Sequence, residues 1–356
     1  MKLLMITRKV DNNDGGAGFI CNWLMKLEKR VDKLSVICQE KGDIKGLEHI
    51  DIYSLGKEDL KDRPDLIKKI IYTYRFYKYV FLLRKRYDHV FIHMHWIYIF
   101  LAGWYWRLTD RKIGFWYAHV QTVFCAKLAS CFVNFIFSPS EHSFMFAEHK
   151  LRKVGHGIDT DIFKPKERNR NEKKQLLSVG RLSTVKEYEV LVEAINILVN
   201  KYKVSNFEIK MIGQPANEVD FGYVEGLKKK IKEYNIEEYF KWLGDVANRD
   251  VNGYFQKGDI FLSQQPGGGF GKSVLEAMAC GLICVMPTLV YNEVLGEYKE
   301  KTIFEPRNPK DMADKLKGVF NWNQEQIADY RKLVRNYVKE NHNLDKLIDK
   351  IVSVYE

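Results

Sequence analysis

The chain of 356 residues is poor in cysteine, with six residues in all. Cys21, Cys38, Cys125, Cys131, Cys280 and Cys284 contain no C-x-x-C pair and sit mostly in apolar contexts. That excludes a disulfide framework and a zinc ribbon, and it suits reduced thiols in a cytoplasmic protein. There are no internal repeats and no low-complexity tracts, so a solenoid or a disordered linker protein is excluded. No signal peptide is expected, because Met1 leads directly into a strand. The longest apolar stretch, Val90 to Leu108, contains His93, His95 and Gly103. It reads as a strand followed by a helix rather than a membrane span. Acidic excess is also absent, since the net charge is +11. No recognised nucleic-acid motif accompanies that charge, so no nucleic-acid partner is expected.

The length is natural for two cores, and strands alternate with helices in both halves, which argues α/β architecture with parallel sheets. The most informative segment runs from Pro266 to Gly281, P-G-G-G-F-G-K-S-V-L-E-A-M-A-C-G. It follows the apolar run Asp259 to Ser263, a buried strand, and leads into a helix from Ser273 to Ala279. A loop carrying Gly267, Gly268, Gly269 and Gly271 therefore lies between a strand and a helix N-terminus. Unpaired backbone N–H groups and the helix dipole favour an anion there, and glycine lets a ligand approach the backbone. Glu276, further along the helix, is placed to accept hydrogen bonds from sugar hydroxyls. A glycine loop that is only a tight turn remains the alternative.

Gln175 to Leu182 reads as a second such strand, ending in Gly180-Arg181, with Lys186 five residues on. Val190 to Val199 has helical periodicity. Arg181 and Lys186 thus stand at the carboxyl end of a parallel strand, where open α/β sheets bind ligands. A planar fork of donors beside a point charge suits a diphosphate, and a solvated surface pair is the alternative.

S-V-G-R-L-S-T-V-K-E-Y-E-V-L-V-E-A followed by G-F-G-K-S-V-L-E-A-M-A-C-G resembles the second domain of the retaining GT-B-fold glycosyltransferases of family four (glycosyl transferases group 1). Gly155 to Pro165, G-H-G-I-D-T-D-I-F-K-P, is similar to that family's interdomain signature. Phe207 to Gly213 and Phe240 to Val246 match its next two strand ends. The resemblance covers about residues 160–300 well and the first half loosely. It implies two Rossmann-like domains facing across a central cleft: residues 1–157 for the acceptor, 158–337 for the nucleotide sugar, and a helix over 338–356 returning to the first domain. The charged, apolar-poor stretch within 152–175 would hold the linker.

The resemblance also implies roles. Arg181 and Lys186 would hold the donor diphosphate and, with His119, form the catalytic set. Glu276 would bind the ribose. Gly269, Phe270, Gly271 and Lys272 would line the donor pocket, with Val274 and Leu275 beside the nucleoside. Gly16, Gly213 and Val246 complete the expected donor contacts. The family carries a glutamate eight residues before Glu276, facing the donor hexose, and here that position is Gly268.

In the first half, Lys2 to Ile6, Lys33 to Cys38, Val90 to Met94 and Ile113 to His119 read as strands. Gly15-Gly-Ala-Gly18 precedes a helix from Phe19 to Leu27. The family places such a loop near the diphosphate and the acceptor, and a histidine at the position of His119 facing the donor sugar. A packed structural histidine is the alternative there. Ser138 and Ser140 match the family's pattern after the next strand.

Two motifs suggest metals. Asp159-Thr-Asp161 is a D-x-D, but it lies inside the interdomain signature and is read as structural. His93-Met-His95 would put both imidazoles on one face of a strand by alternation, without further ligands of recognisable spacing. The GT-B resemblance implies metal-independent catalysis, so no metal and no cofactor are expected.

The positive charge is uneven. Residues 1–150 hold 24 Lys and Arg against 16 Asp and Glu, so they carry eight of the eleven net charges. Much of it falls in residues 67–87, where Lys68, Lys69, Arg75, Lys78, Arg84, Lys85 and Arg86 interleave with Tyr72, Tyr74, Phe76, Tyr77, Tyr79 and Phe81. Such a helix suits an anionic membrane surface, and an ordinary half-buried helix is the alternative.

The expected function is a metal-independent, retaining transfer of a hexose, from a UDP-sugar by preference, to a hydroxyl of a lipid-linked or polysaccharide acceptor. Front-face transfer needs no carboxylate nucleophile. The alternative, prompted by Gly268, is a catalytically weak or inactive relative serving as a nucleotide-sugar- or membrane-binding partner subunit. The expected location is cytoplasmic, peripheral on the inner face of the membrane.

Overall fold

In the computed structural model the described residues are 1–60, 62–118, 124–139, 148–166, 173–267 and 269–356. The chain forms two compact units. Unit 1 comprises residues 1–159, 247–249 and 342–356, and unit 2 comprises residues 160–246 and 250–341.

Unit 1 alternates strand and helix: β1 (Lys2–Val10), α1 (Phe19–Glu28), β2 (Lys33–Lys41), β3 (Asp51–Ser54), α2 (Asp65–Leu82), β4 (His89–His93), α3 (Ile97–Leu108), β5 (Ile113–Trp116), α4 (Phe124–Ala129), β6 (Phe135–Ser138) and β7 (Leu151–Lys153). Among the described residues its sheet has seven parallel strands in the order β3-β2-β1-β4-β5-β6-β7. Leu3 to Ile6 are wholly buried, as expected of a central parallel strand covered on both faces. Two apolar cores result. One contains Trp23, Leu24 and Leu27 of α1, and the other contains Phe76, Val80, Ile99 and Trp106 of α2 and α3.

Unit 2 contains β8 (Lys174–Val179), α5 (Tyr188–Asn196), β9 (Phe207–Ile212), α6 (Glu218–Glu233), β10 (Phe240–Gly244), α7 (Asn248–Lys257), β11 (Ile260–Leu262), α8 (Lys272–Ala279), β12 (Ile283–Val285), α9 (Asn292–Leu295), α10 (Lys299–Thr302), α11 (Pro309–Phe320) and α12 (Gln324–Asn341). Residues 247–249, at the start of α7, count with unit 1. The described sheet has five parallel strands in the order β10-β9-β8-β11-β12.

The last helix, α13 (Leu344–Ser353), belongs to unit 1. Its apolar stripe, Leu344, Leu347, Ile348, Ile351 and Val352, joins the α1 core. Asp345 accepts from Lys26 and Arg30, each at 2.8 Å. Tyr355 reaches through the sheet to donate to the Val90 carbonyl at 2.8 Å. Gly114 makes room for it, since a Cβ there would stand 2.2 Å from the phenol oxygen.

Several expected bounds shift. The helix from Val190 is α-helical to Asn196 and continues as a π-turn over Ile197–Lys201. The helical stretch from Gln324 breaks at His342–Asn343, because Ile158 pairs with that backbone: its N–H donates to the His342 carbonyl at 2.7 Å, and its carbonyl accepts from Leu344 at 2.9 Å. Asn343 then caps α13. The strand expected over Ile113 to His119 ends at Trp116, in register with the end of β4 at His93. Val90 to Leu108 forms β4 and α3, and no described helix is long and apolar enough to cross a membrane.

Candidate functional site

The strand order of unit 2 reverses between β8 and β11, so the chain leaves these neighbours in opposite directions and opens a crevice at their carboxyl ends. Arg181 and Lys186 follow β8, and the glycine loop and α8 follow β11. The two expected halves of the site thus meet at one switch point.

Beside this crevice three strands of unit 2 end in glycine. Gly180 N–H donates to the Ile212 carbonyl at 3.0 Å, and Gly213 N–H to the Gly244 carbonyl at 2.8 Å. Gly213 has φ +136°, and a Cβ on it would fall 1.9 Å from the Gly180 carbonyl oxygen. Only glycine allows that approach. Beyond Arg181, which is exposed, Lys186 ends a single 3-10 turn over Thr184–Lys186. Its ammonium donates to Gln265 Oε1 at 2.5 Å, tying the loop after β8 to the loop after β11. Burial lowers the Lys186 pKa, and the Arg181 charge lowers it further. A half-desolvated ammonium beside a second cation is a group that an incoming anion would relieve.

After β11 come Gln264 and Gln265, neither of which the sequence motifs point to. Gln264 is 2% exposed, and its Nε2 has no partner among the described residues. Their position directly after the switch-point strand was the available signal. Gly269, Phe270 and Gly271 follow, while Gly268 lies outside the described residues. Phe270 packs edge-on against the buried Tyr291, ring centroids 5.2 Å apart. Gly271 precedes α8 without any side-chain cap, so the first-turn N–H groups of Lys272, Ser273 and Val274 lack helical partners.

Within α8, Lys272 and Glu276 form an ion pair at 3.5 Å. The Lys272 side chain is 28% exposed and that of Glu276 6%. Burial brings the Lys272 pKa down to about 8, with Glu276 opposing the shift. Burial raises the Glu276 pKa, with Lys272 opposing. Val274 and Leu275 are core residues, 4% and 0% exposed, so α8 offers a ligand backbone at these positions rather than side chain. Val246 lies two residues beyond β10, half-buried.

In unit 1, Gly16 lies in the loop between β1 and α1. Asp14 Oδ1 accepts from the N–H groups of Gly16 and Ala17 at 2.9 and 2.6 Å. Lys9 in turn binds Asp14, Asp11 and Glu40 within 3.2 Å. His119 and Ser140 lie outside the described residues. Ser138, at the end of β6, is fully buried, with no partner for its Oγ among the described residues.

The two histidines do not share a face. The strand ends at His93, and Met94 has φ +70°, which breaks the alternation. His93 packs among Phe19, Trp23 and Trp116, whereas His95 packs on Tyr98. Among the described residues no group of three His, Cys, Asp or Glu side chains is placed to hold a metal. In the D-x-D segment, Asp159 and Thr160 are buried. Arg335 braces the chain that follows, donating to the carbonyls of Phe163 at 3.2 Å and Ala279 at 2.6 Å.

Comparison with known proteins agrees with this geometry. The chain is 28% identical over 188 residues to an uncharacterized glycosyltransferase of Haemophilus influenzae, covering 50% of this chain and 48% of that one. It is 28% identical over 119 residues to mannosylfructose-phosphate synthase of Agrobacterium fabrum, covering 33% of this chain and 25% of that one. The chain thus spans half or less of the length of these curated relatives. Among solved structures, Anabaena Alr3699/HepE in complex with UDP matches with a TM-score of 0.78 at 15% identity, covering 99% of both chains. WaaG, a glycosyltransferase involved in lipopolysaccharide biosynthesis, matches with a TM-score of 0.70 at 14% identity, again over 99% of both. These likenesses show the GT-B fold. The glycosyl transferases group 1 model matches residues 159–341, the region that builds the β8–β11 switch point, and the chain belongs to that family.

Proposed function

We propose that the protein transfers a hexose from a nucleotide diphosphate sugar to a hydroxyl acceptor, with retention and without a metal. The observation that carries this is the Lys186–Gln265 contact across the switch point, with Arg181 beside it and the uncapped start of α8 next in the chain. A diphosphate bound there would meet two cations and the amides of a helix N-terminus, all of which favour the charge that develops as the diphosphate leaves. Lys186 would regain a counter-charge, so its ammonium would be more firmly protonated in the complex than in the free protein. Glu276 would accept from the ribose hydroxyls while Lys272 keeps its carboxylate ionised. The leaving phosphate would assist deprotonation of the acceptor hydroxyl, so the reaction needs no carboxylate nucleophile. His119 would face the donor sugar. The HepE complex with UDP makes a UDP-sugar the first donor to test.

The same reading places the acceptor with unit 1, residues 1–157 by the sequence, and attaches that unit to an anionic membrane through α2. Leu66, Ile70 and Tyr74 of α2 are 71%, 61% and 68% exposed, with Lys69, Lys78 and Arg84 to Arg86 also exposed. Rings and apolar side chains beside cations suit a headgroup layer. The enzyme would work on the inner, cytoplasmic face. Flotation with anionic vesicles is expected to carry the protein up and to fail for Ile70→Glu/Tyr74→Glu. A wild-type protein that stays at the bottom would remove the membrane from the proposal.

The donor site is tested by thermal shift with UDP-, GDP- and ADP-sugars, followed by product analysis. One donor should raise the melting temperature of the wild type and not of Arg181→Ala. No shift with any donor, and no transfer or donor hydrolysis, would overturn the enzymatic reading in favour of a partner subunit without turnover.

A further inference from the structure

A second concentration of cations lies in unit 1. A cavity of about 390 Å³ is lined by Glu40, Lys57, Asp65, Lys68, Lys69 and Tyr72. It sits where β2 ends, where the chain leaves β3, and where α2 begins, so it occupies the carboxyl edge of a parallel sheet. Its volume suits a phosphorylated monosaccharide.

The charges lining it are not balanced. Glu40 is held by Lys9 at 2.9 Å, and Asp65 stands 3.4 Å from Lys68 at the mouth. Neither Lys57 nor Lys69 has an ion pair or a side-chain hydrogen bond among the described residues, although carboxylates lie nearby. Arg75 adds a further cation behind the wall. It donates to the Leu55 carbonyl at 2.9 Å and lies flat against Gly56, where a Cβ would fall 1.6 Å from its Nη1. Two residues beyond β4, burial first, then the charges of Arg8 and Lys57, bring the His95 pKa down to about 4.

We infer that this cavity binds the phosphate of a phosphate-bearing acceptor, with Lys57 and Lys69 as its counter-charges. The inference rests on the transferase reading and names the acceptor class that reading leaves open. Two unpaired ammonium groups with a third close by suit an anion of charge near −2, as a phosphate monoester carries, better than a single carboxylate. The phenol of Tyr72 and the carboxylates at the rim are hydrogen-bonding groups for sugar hydroxyls. Exposed Leu66, Ile67 and Ile70 flank Lys68 and Lys69 on α2, so a phosphate carried by a lipid would find apolar surface beside the cavity.

Lysine acetylation of the full chain, mapped by mass spectrometry with and without inorganic pyrophosphate at constant ionic strength, tests the site directly. Lys57 and Lys69 should be labelled at least fivefold more slowly with pyrophosphate, and equally so in Arg181→Ala, where the donor site is disabled. Unchanged labelling at Lys57 and Lys69 while Lys186 is protected would overturn this inference and leave the donor site standing. Protection at Lys57 and Lys69 without protection at Lys186 would support it and count against the donor site. A second measurement uses pyrophosphate affinity in the Arg181→Ala background. Lys57→Glu/Lys69→Glu should weaken it at least tenfold with an unchanged circular-dichroism melt, and unaltered affinity would overturn the inference. Glucose 1-phosphate and vesicles containing phosphatidate then separate the sources. Protection by the sugar phosphate alone marks a soluble acceptor, protection by the vesicles marks a lipid-borne one, and protection by neither overturns the proposal.

Discussion

Units 1 and 2 each place a glycine loop between a buried parallel strand and a helix, yet they satisfy the loop differently. In unit 1 the chain supplies its own anion: Asp14 accepts from Gly16 and Ala17, and Lys9 holds Asp14 together with Asp11 and Glu40. Burial alone would raise the Asp14 pKa, but Lys9 and the two amides hold it below the usual carboxylate range. In unit 2 no described side chain caps α8, and Lys186 rests on the neutral amide of Gln265 with the Arg181 charge nearby. The same backbone device is closed by a carboxylate in one unit and has no side-chain cap in the other. What separates the two is the residue supplied beside the loop, not the number of glycines. Gly16 accordingly has its N–H engaged by Asp14.

The largest effect should come from removing the cation in unit 2. Lys186→Ala is expected to lower kcat/KM for the donor by about 100- to 1000-fold, the range for loss of one preorganised charge-stabilising group. Steady-state assays of sugar transfer measure it, and near-wild-type turnover would refute the assignment. The matching change in unit 1, Asp14→Ala, should cost about 1–2 kcal/mol of stability through lost hydrogen bonds and leave donor affinity within about twofold. If Asp14→Ala instead abolished donor binding, the two loops would have to be read as one site.

Gly213→Ala ranks next. The new Cβ would collide with the Gly180 carbonyl at a backbone conformation that L side chains rarely adopt. A destabilisation of about 2–4 kcal/mol is expected, seen as a lowered denaturation midpoint. Because the displaced group is the residue before Arg181, donor affinity should fall even where the protein remains folded. Gly267→Ala, at a position where a Cβ meets nothing within 4 Å, is the control and should change stability little.

These contrasts mark what was legible in the sequence. The α/β alternation and the strand end at Gly180 could be read because apolar runs and glycines are local signals, whereas the strand ends at Gly213 and Gly244 came from the family resemblance. The joining of Arg181 and Lys186 to the loop after β11 depended on strand order, which the family resemblance carried and periodicity did not. Gln265 was missed because a neutral amide has no motif, and its importance comes only from the ammonium that reaches it across the switch point. The closure of the Gly16 loop by Asp14 was missed for a related reason: the three carboxylates converging on Lys9 of β1 come from the loop after β1, which supplies Asp11 and Asp14, and from β2, which supplies Glu40. The divergence of His93 and His95 was misjudged because alternation was extended one residue past the strand end, where Met94 turns left-handed. His119 and Gly268 lie outside the described residues.

The smallest expected effect is also the sharpest probe of the open site. Burial leaves Lys272 with a pKa of about 8, against an ordinary value of 10.5. Below pH 8 it is protonated and supports the Glu276 carboxylate at 3.5 Å. Above pH 8 it loses that proton, Glu276 loses its counter-charge, and donor affinity should fall by a few-fold. Stability should move the other way. Between pH 8 and 10.5 the native chain binds fewer protons at Lys272 than the unfolded chain does, so this residue's contribution to stability rises with pH across that window. Donor titration and denaturant melts over the same pH range separate the two trends. Lys272→Arg, whose guanidinium stays charged, should remove the alkaline fall in affinity. An alkaline fall that persists in Lys272→Arg would assign the titration to another group, with Lys186 the first to examine.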